Sequence, residues 1–133
     1  MKILISIFSL SFFLYGASLE VSINGIDTSK KGRVLVYLFS DKTRDFYPFG
    51  KSIIKRFTPN RSVQKIVFRG IPKGQYAVTV FHDENRNDKL DENMFWLPTE
   101  GYGFSNNYKY FPSFRKSQIN INRNSFIHIK MNY

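Results

Sequence analysis

The sequence predicts an all-β protein, built as a two-layer antiparallel sandwich of about seven strands. Apolar and polar residues alternate with a period of two in several short segments, as they do in strands with one buried face. Clusters of Gly, Pro and Asn separate these segments, and nothing between them requires a long helix. No linker or internal repeat is visible, so we expect the strands to form a single domain.

The first 18 residues have the order of a secretory signal peptide: a positive residue, an apolar run and small residues at a cleavage site. These parts are Lys2, residues 3–14 and the segment from Gly16 to Ser18. The apolar run is shorter than the roughly 20 residues that a membrane-spanning helix needs. We therefore expect cleavage after Ser18, a mature domain at residues 19–133, and a periplasmic or secreted protein with no transmembrane anchor.

The first strands are predicted on either side of a Gly-containing turn at residues 25–32. In residues 19–23 every second residue is apolar, so one face of that strand should be buried. Residues 34–39 are apolar on both faces, which is typical of a central strand in a packed sheet. Residues 52–57 fit either a strand or a single helical turn, and the sequence leaves both open.

Four more strands are predicted in the second half of the chain. Residues 63–68 and 76–81 are β-branched and aromatic segments joined by a Gly-Pro turn at residues 70–74. Two closing strands are expected at residues 117–122 and 126–131, with an Asn-rich turn between them.

The acidic segment that follows residues 76–81 matches most of a calcium-binding loop. Four acceptor side chains stand at positions 1, 3, 5 and 9 of the loop register, and a backbone carbonyl stands at position 7. The side chains are those of Asp83, Asn85, Asn87 and Asp91, and the carbonyl is that of Lys89. This spacing turns oxygen ligands toward a common centre, so it predicts a calcium site formed by these five residues.

Two positions depart from that register. Position 6, where the loop bends through a positive φ and Gly is usual, is Asp88, and position 12, where a bidentate Glu is usual, is Met94. The closing ligand would have to come from Glu92, Glu100 or water. The alternative is an Asx-rich turn without an ion, because Asn and Asp side chains hydrogen-bond to their own backbone.

Residues 95–114 are rich in aromatic side chains and have little predicted regular structure. A segment of this length is uncommon in a compact domain unless it is functional or packed by its own side chains. Its aromatics either cap one end of the core or contact a sugar or a partner chain, and both interpretations remain open. The candidate contact residues are Trp96, Tyr102, Phe104, Asn106, Asn107 and Tyr108.

The formal net charge is +10, but the basic residues are dispersed over several predicted elements. No nucleic-acid-binding motif accompanies them, and an exported protein would not meet nucleic acid, so we expect no such partner. A solvated basic surface, or attraction to anionic components of the cell envelope, accounts for the charge.

No catalytic site is predicted. The chain contains no Cys and no Ser in a Gly-x-Ser-x-Gly context, so a nucleophilic hydrolase is not indicated. The two histidines, His82 and His128, are too few for a His-rich zinc site. Carboxylate pairs such as Asp91 with Glu92, or Glu92 with Glu100, could in principle carry acid–base chemistry.

Several motifs, taken in order, resemble those of one bacterial family. Residues 68–76 resemble the F-x-x-L-P-x-G-x-Y strand-turn-strand of transthyretin-like and carboxypeptidase-regulatory-like sandwiches. With the acidic segment and residues 98–107, the chain resembles the domain of unknown function 2141 family over residues 19–133. Asp88 and Trp96 stand where that family commonly has Gly. The resemblance implies a small exported transthyretin-like sandwich and supplies no activity.

These features predict an exported, non-enzymatic module for binding or for envelope structure, with an envelope protein or glycan as its partner. One alternative is a protein that binds an envelope glycan or a small anionic ligand. A hydrolase that uses the carboxylates of residues 83–100 is the third interpretation.

Overall fold

Eight strands, one short helix and one 3-10 turn make up the part of the chain that the structure describes. The structure is a computed structural model, and it describes residues 16–40, 52–95, 97–110 and 112–133. The strands are β1 (Ala17–Asn24), β2 (Arg33–Ser40), β3 (Ile53–Phe57), β4 (Val63–Ile71), β5 (Gly74–Asp83), β6 (Tyr102–Phe104), β7 (Ile119–Ile121) and β8 (Ser125–Lys130). The helix α1 spans Phe114–Ser117, and the 3-10 turn spans Ser105–Asn107.

The strands form two sheets, which confirms the predicted all-β sandwich. One sheet has three strands in the order β4-β1-β8, and the other has five, in which β3-β2-β5-β6 are neighbours and β7 also pairs with β5. All pairs are antiparallel except β1 with β8, which is parallel. The consecutive strands β7 and β8 lie in different sheets, so they do not form a hairpin.

The main core lies between the sheets. Alternate residues of β1, β2 and β5 point into it, as the period-two pattern predicts. Its buried members include Leu19, Val21, Ile23, Val34, Val36, Leu38, Tyr76, Val78 and Val80. The hydrophobic effect of removing these side chains from water holds the two sheets together.

A second apolar cluster covers the opposite face of the five-stranded sheet. It contains Leu35, Tyr37, Phe39, Ala77, Phe81, Leu90 and Phe104, with Tyr102, Tyr108 and Phe114 packed against it. Strand β2 is therefore buried on both faces, which confirms the interpretation of residues 34–39. Leu90 belongs to the acidic segment, so this cluster also anchors that segment to the sheet.

Several elements differ from the prediction in extent. Residues 52–57, for which strand and helical turn both remained open, contain the edge strand β3. The strand expected at residues 117–122 is shortened to β7, because the Ser113 side chain accepts a hydrogen bond from the Lys116 N–H (3.3 Å) and caps the helical turn α1 before it. Strand β6 was not predicted.

The predicted signal peptide lies mostly outside the described residues, which begin at Gly16. Ala17 and Ser18, the last residues of that segment, are the first two residues of β1. Within the described part of the chain, no helix has the length and apolar character needed to cross a bilayer.

Candidate functional site

The acidic loop, residues 83–91, starts at a buried carboxylate. Asp83 is the last residue of β5 and is fully buried. Its Oδ1 accepts the backbone N–H of Asn87 and its Oδ2 accepts that of Asp88, both at 3.0 Å, while Arg33 Nε lies 3.3 Å from Oδ2. The carboxylate therefore closes the first half of the loop, and the guanidinium compensates its charge.

The loop bends through two left-handed residues, Arg86 (φ 60°) and Asp88 (φ 61°). Position 6 of the calcium register, where Gly is usual, thus has the positive φ that the register requires, although Asp88 occupies it. The Asp88 carboxylate lies outside the loop centre, with Oδ1 2.6 Å from Arg33 Nη2 and 3.7 Å from Arg56 Nε. These ion pairs offset part of the cost of left-handed backbone in a residue with a Cβ.

Three of the predicted ligand side chains converge at the centre of the loop. Asn85 Nδ2 lies 2.6 Å from Asp91 Oδ2, and Asn87 Nδ2 lies 2.9 Å from Asp91 Oδ1. The Lys89 N–H donates to Asn87 Oδ1 at 3.0 Å. The structure therefore brings Asn85, Asn87 and Asp91 together, with Lys89 in the same turn, while Asp83 faces the backbone beside them.

Glu100 joins the two ends of the loop. Its Oε1 accepts the Glu84 N–H at 3.0 Å and its Oε2 accepts the Asp91 N–H at 3.1 Å. The residue is buried, and burial raises the pKa of its carboxyl above the ordinary range. Both carboxylate oxygens of Glu100 thus hold the loop closed through hydrogen bonds. This role differs from that of the Glu at position 12 of a calcium loop, which binds the ion.

The donor set that results is mixed. Among the residues with described positions, no three or more His, Cys, Asp and Glu side chains are grouped so that they could hold a metal ion. The acidic loop would instead combine two carboxylates with amide and carbonyl oxygens, which are ligands that Ca²⁺ accepts.

The candidate contact residues of the aromatic stretch differ in exposure: Phe104 is buried, Tyr102 and Tyr108 are partly buried, and Asn106 and Asn107 are exposed. Phe104 is 1 % exposed in the second apolar cluster, and Tyr102 and Tyr108 pack against that cluster. Asn106 Nδ2 donates to the Lys116 and Gln118 carbonyls (3.2 and 2.9 Å), and Asn107 Oδ1 accepts the Lys130 N–H (2.9 Å). These side chains fasten the stretch to the sandwich, and Trp96 lies outside the described residues.

A more exposed apolar group lies at the start of the same stretch, and its three described residues were not among the predicted contact residues. Met94, Phe95 and Leu97 are 84 %, 72 % and 59 % exposed. They form a tip that extends from a short antiparallel pairing of Glu92 with Pro98. The signal is visible in the sequence as an apolar run inside a polar segment, of which only Trp96 is among the predicted contact residues and Met94 is noted as a missing ligand.

His82, the residue before the loop, is buried and linked to Tyr133. Its Nδ1 lies 2.8 Å from Tyr133 Oη, which accepts the Asp27 N–H at 2.9 Å. Burial lowers the pKa of His82 and raises that of Tyr133. This arrangement ties the end of β5 to the first turn and to the residues after β8.

A cleft of about 440 Å³ opens beside the acidic loop. It is lined by Lys30, Lys31, Gly32, Thr58, Pro59, Glu84, Asn85 and Arg86. Its three cations favour an anion, although Lys30 Nζ already lies 3.2 Å from Glu84 Oε1.

Comparison with known proteins identifies one family. The family described as "Uncharacterized protein conserved in bacteria (DUF2141)" matches residues 21–128, which include the acidic loop and the aromatic stretch. Neither a curated protein nor a solved structure matches the chain.

Proposed function

The chain belongs to the domain of unknown function 2141 family, as its motifs indicated, and we propose that it is an exported, non-enzymatic β-sandwich module whose acidic loop is ordered by calcium. In this proposal the sandwich presents the connection between β5 and β6 to a partner in the cell envelope. The loop fixes the start of that connection, and calcium strengthens the fixation.

The convergence of Asn85 and Asn87 on the Asp91 carboxylate carries this proposal. Each amide now donates Nδ2 to an Asp91 oxygen. A half-turn of each amide exchanges Nδ2 for Oδ1 and would direct two more oxygens at the same carboxylate. Four oxygens brought together in this way repel one another unless a cation lies between them. The same half-turns break the hydrogen bonds that Asn85 Oδ1 and Asn87 Oδ1 accept from the N–H groups of Asn87 (3.3 Å) and Lys89 (3.0 Å), so the cluster would exchange four hydrogen bonds for one ion.

Asp83 is compatible with the same ion. Each of its carboxylate oxygens accepts one backbone N–H, and a carboxylate oxygen has two lone-pair positions. Asp83 can therefore keep its contacts with the loop backbone while one free lone pair faces the cation. Position 12 supplies no such ligand, because Met94 is apolar and exposed and Glu100 holds the loop ends. We expect weak binding, with a dissociation constant of roughly 0.1 to 1 mM.

Calcium should raise the stability of the protein if the ion binds only the native state. The expected gain is about 2.7 kcal/mol at a calcium concentration one hundred times the dissociation constant. Magnesium should stabilise less, because it requires tighter octahedral geometry and gives up water reluctantly. Calorimetry and melting curves with calcium, magnesium and chelator measure these effects.

Asp91→Asn is the variant that tests the loop, because it preserves the shape of the side chain and removes its charge. It should lose most of the calcium response. Asp88→Asn is the matched control: it also removes one loop carboxylate, but that carboxylate faces Arg33 and Arg56. A wild-type melting curve that calcium does not move, or an equal response in Asp91→Asn, would show a plain Asx-rich turn.

The use of the buried carboxylates supports a non-enzymatic role. Asp83 and Glu100 each accept two backbone N–H groups, so their oxygens serve the architecture of the loop. A general acid or base needs an oxygen that faces a substrate-sized space within hydrogen-bond reach. The contacts of these two residues therefore favour a structural role over the carboxylate-based hydrolase.

The cleft beside the loop favours a second candidate, binding of a small anionic ligand or an acidic envelope glycan. Lys31 and Arg86 are exposed at its rim and carry charge that such a ligand would neutralise. Lys30 contributes less, because its ammonium is already paired with Glu84. This candidate ranks second, since part of the cationic charge of the cleft is internally compensated.

A further inference from the structure

Two edge strands of the sandwich, β3 and β4, each have one neighbour among the described strands. β3 ends the five-stranded sheet beside β2, and β4 ends the three-stranded sheet beside β1. The outer side of an edge strand carries N–H and C=O groups that can pair with a strand of another molecule. Each edge also has an apolar residue in contact with water, since Ile53 of β3 is 50 % exposed and Val63 of β4 is 46 % exposed. A second copy of the chain could therefore add a strand here.

Lys55 is the middle residue of β3 and lies on the face of that strand that is directed toward the main core. It is paired with Val36 of β2, which belongs to the main core, and its neighbours on the same face are Ile53 and Phe57. The period-two pattern would place an apolar residue at this position. The charge of Lys55 therefore needs an explanation other than packing.

The ammonium of Lys55 links the two edge strands. Its Nζ donates to the Val67 carbonyl of β4 at 2.7 Å and lies 5.5 Å from the centre of the Phe68 ring. The residue is exposed, so water reaches the charge, and among the described residues no carboxylate forms an ion pair with it. A strand added to either edge would cover this ammonium, and burying an ammonium that has no counter-charge is strongly unfavourable.

A symmetric pairing of two copies meets a second obstacle. Identical chains most often associate about a two-fold axis. If β3 paired with β3 of another copy around its middle residue, the two Lys55 side chains would lie opposite each other, and like charges directly opposite destabilise a strand pair. We propose that Lys55 prevents a second copy of the chain from pairing with β3 or β4.

The test compares the self-association of the purified mature protein with that of Lys55→Ile, which places an apolar residue between Ile53 and Phe57. Wild type should remain monomeric, and the variant should associate at least about tenfold more tightly, because pairing no longer buries a charge. Sedimentation velocity at several protein concentrations measures the association. Hydrogen exchange locates it, since the amides of β3 and β4 should gain protection only in the associated variant.

Two further variants at the same position separate charge from side-chain shape. Lys55→Arg keeps the charge and should stay monomeric. Lys55→Gln removes the charge and keeps a polar end, so it should associate more tightly than wild type. It also decides the question if circular dichroism shows that Lys55→Ile does not fold.

Lys130→Ile is the matched control. It also replaces one exposed Lys on an edge strand, β8, but there the Lys130 N–H already donates to Asn107 Oδ1 at 2.9 Å. Part of that edge is thus occupied, and the variant should stay monomeric. The inference does not depend on the calcium loop, so calcium and chelator should give the same results.

Three results would overturn the inference. Protection of β3 and β4 in wild type as its concentration rises would show that Lys55 does not prevent pairing. A folded Lys55→Gln that stays as monomeric as wild type would show that the charge is not the barrier. A Lys130→Ile that associates as tightly as Lys55→Ile would show that added apolar surface alone causes association.

Discussion

Asp83 and Asp91 look equivalent in the sequence, but their surroundings give them different roles. Asp83 is fully buried, and the N–H groups of Asn87 and Asp88 together with Arg33 satisfy it. Asp91 is partly exposed and receives the amides of Asn85 and Asn87. Removing the Asp83 carboxylate would leave its N–H donors unsatisfied and take one of two carboxylate partners from Arg33, which costs stability with or without calcium. Replacing Asp91 therefore tests calcium binding without removing a buried carboxylate from the fold.

His82 gives the protein a stability that depends on pH. The Tyr133 hydroxyl accepts the Asp27 N–H, so its own proton can be donated to His82 Nδ1, which requires a neutral imidazole. Burial lowers the pKa of His82 from 6.5, while the nearby charges of Glu84 and Lys30 act in opposite directions. Below pH 6.5 the unfolded state therefore binds a proton that the folded state does not, and stability falls as the pH is lowered further.

Denaturant unfolding between pH 8 and pH 5 measures this effect. In His82→Gln the free energy of unfolding should fall less steeply below about pH 6.5 than in wild type, whatever the stability of the variant at neutral pH. His128→Gln is the control, because it removes one imidazole from an exposed position on β8. If the free energy of unfolding of His82→Gln falls as steeply as that of wild type, carboxyl groups and not the buried imidazole produce the pH dependence.

At the scale of elements, the sequence pattern predicts strands where packing follows periodicity and misses them where packing depends on distant contacts. The double-sided apolar run of β2 and the alternation in β1 correspond directly to their burial. Strand β6 has only three residues, and it exists because β5 pairs with it on one side and the residues around β8 close over it. No local pattern contains that information.

The acidic loop likewise has features that follow from its local sequence and others that depend on distant contacts. Asn85, Asn87 and Asp91 meet because an alternating spacing in a tight turn brings side chains to one side, as both the calcium register and the Asx-rich turn predict. The sequence offered Glu100 only as one possible closing ligand and did not predict that it would close the loop by hydrogen bonds to the backbone, since that contact depends on where the chain returns before β6. The burial of Phe104 and the anchoring of Asn106 and Asn107 likewise depend on neighbours distant in the sequence.

Gly103 tests the packing of β6. A Cβ at this position would lie 2.6 Å from Ile129 Cγ2 and 2.8 Å from the Lys130 carbonyl oxygen. Gly103→Ala should therefore destabilise the fold by about 1 to 3 kcal/mol through overpacking against β8. Chemical denaturation measures the change.

Gly70→Ala is the comparison for that variant, because a Cβ there meets nothing within 4 Å and only the left-handed backbone (φ 63°) opposes it. Its cost should stay near the roughly 1 to 2 kcal/mol of that conformation. Full stability of Gly103→Ala would show that β6 does not lie against β8 as described.

At the scale of the whole molecule, the acidic loop and the apolar tip both belong to the connection between β5 and β6. Residues 84–101 follow β5 and contain most of the acidic loop, the carboxylate that closes it and the apolar tip. The sandwich supplies their support through the buried Asp83 and Leu90 at one end and the pairing of β6 at the other. Sites on connections held by a rigid scaffold are common in binding proteins.

Export can be judged against this architecture, because the proposed cleavage after Ser18 would remove the first two residues of β1. The remainder keeps both of its neighbours: Leu19 pairs with Phe68 of β4 and with Ser125 of β8. The chain loses the pairing of Ala17 with Ile71, which lies beyond an irregularity in the register, and the contact of the Ser18 N–H with Asn124. We therefore expect the protein beginning at Leu19 to fold with only a modest loss of stability.

Mass spectrometry of protein from the periplasm or the medium should find a mature N-terminus at Leu19 or within a few residues of it. Purified protein beginning at Leu19 should unfold in one cooperative transition, which calorimetry would show. Gly16→Asp provides the control for processing, because signal peptidase requires small residues before the cleavage site, so the precursor should accumulate. A soluble cytoplasmic species with an intact Met1 would contradict export.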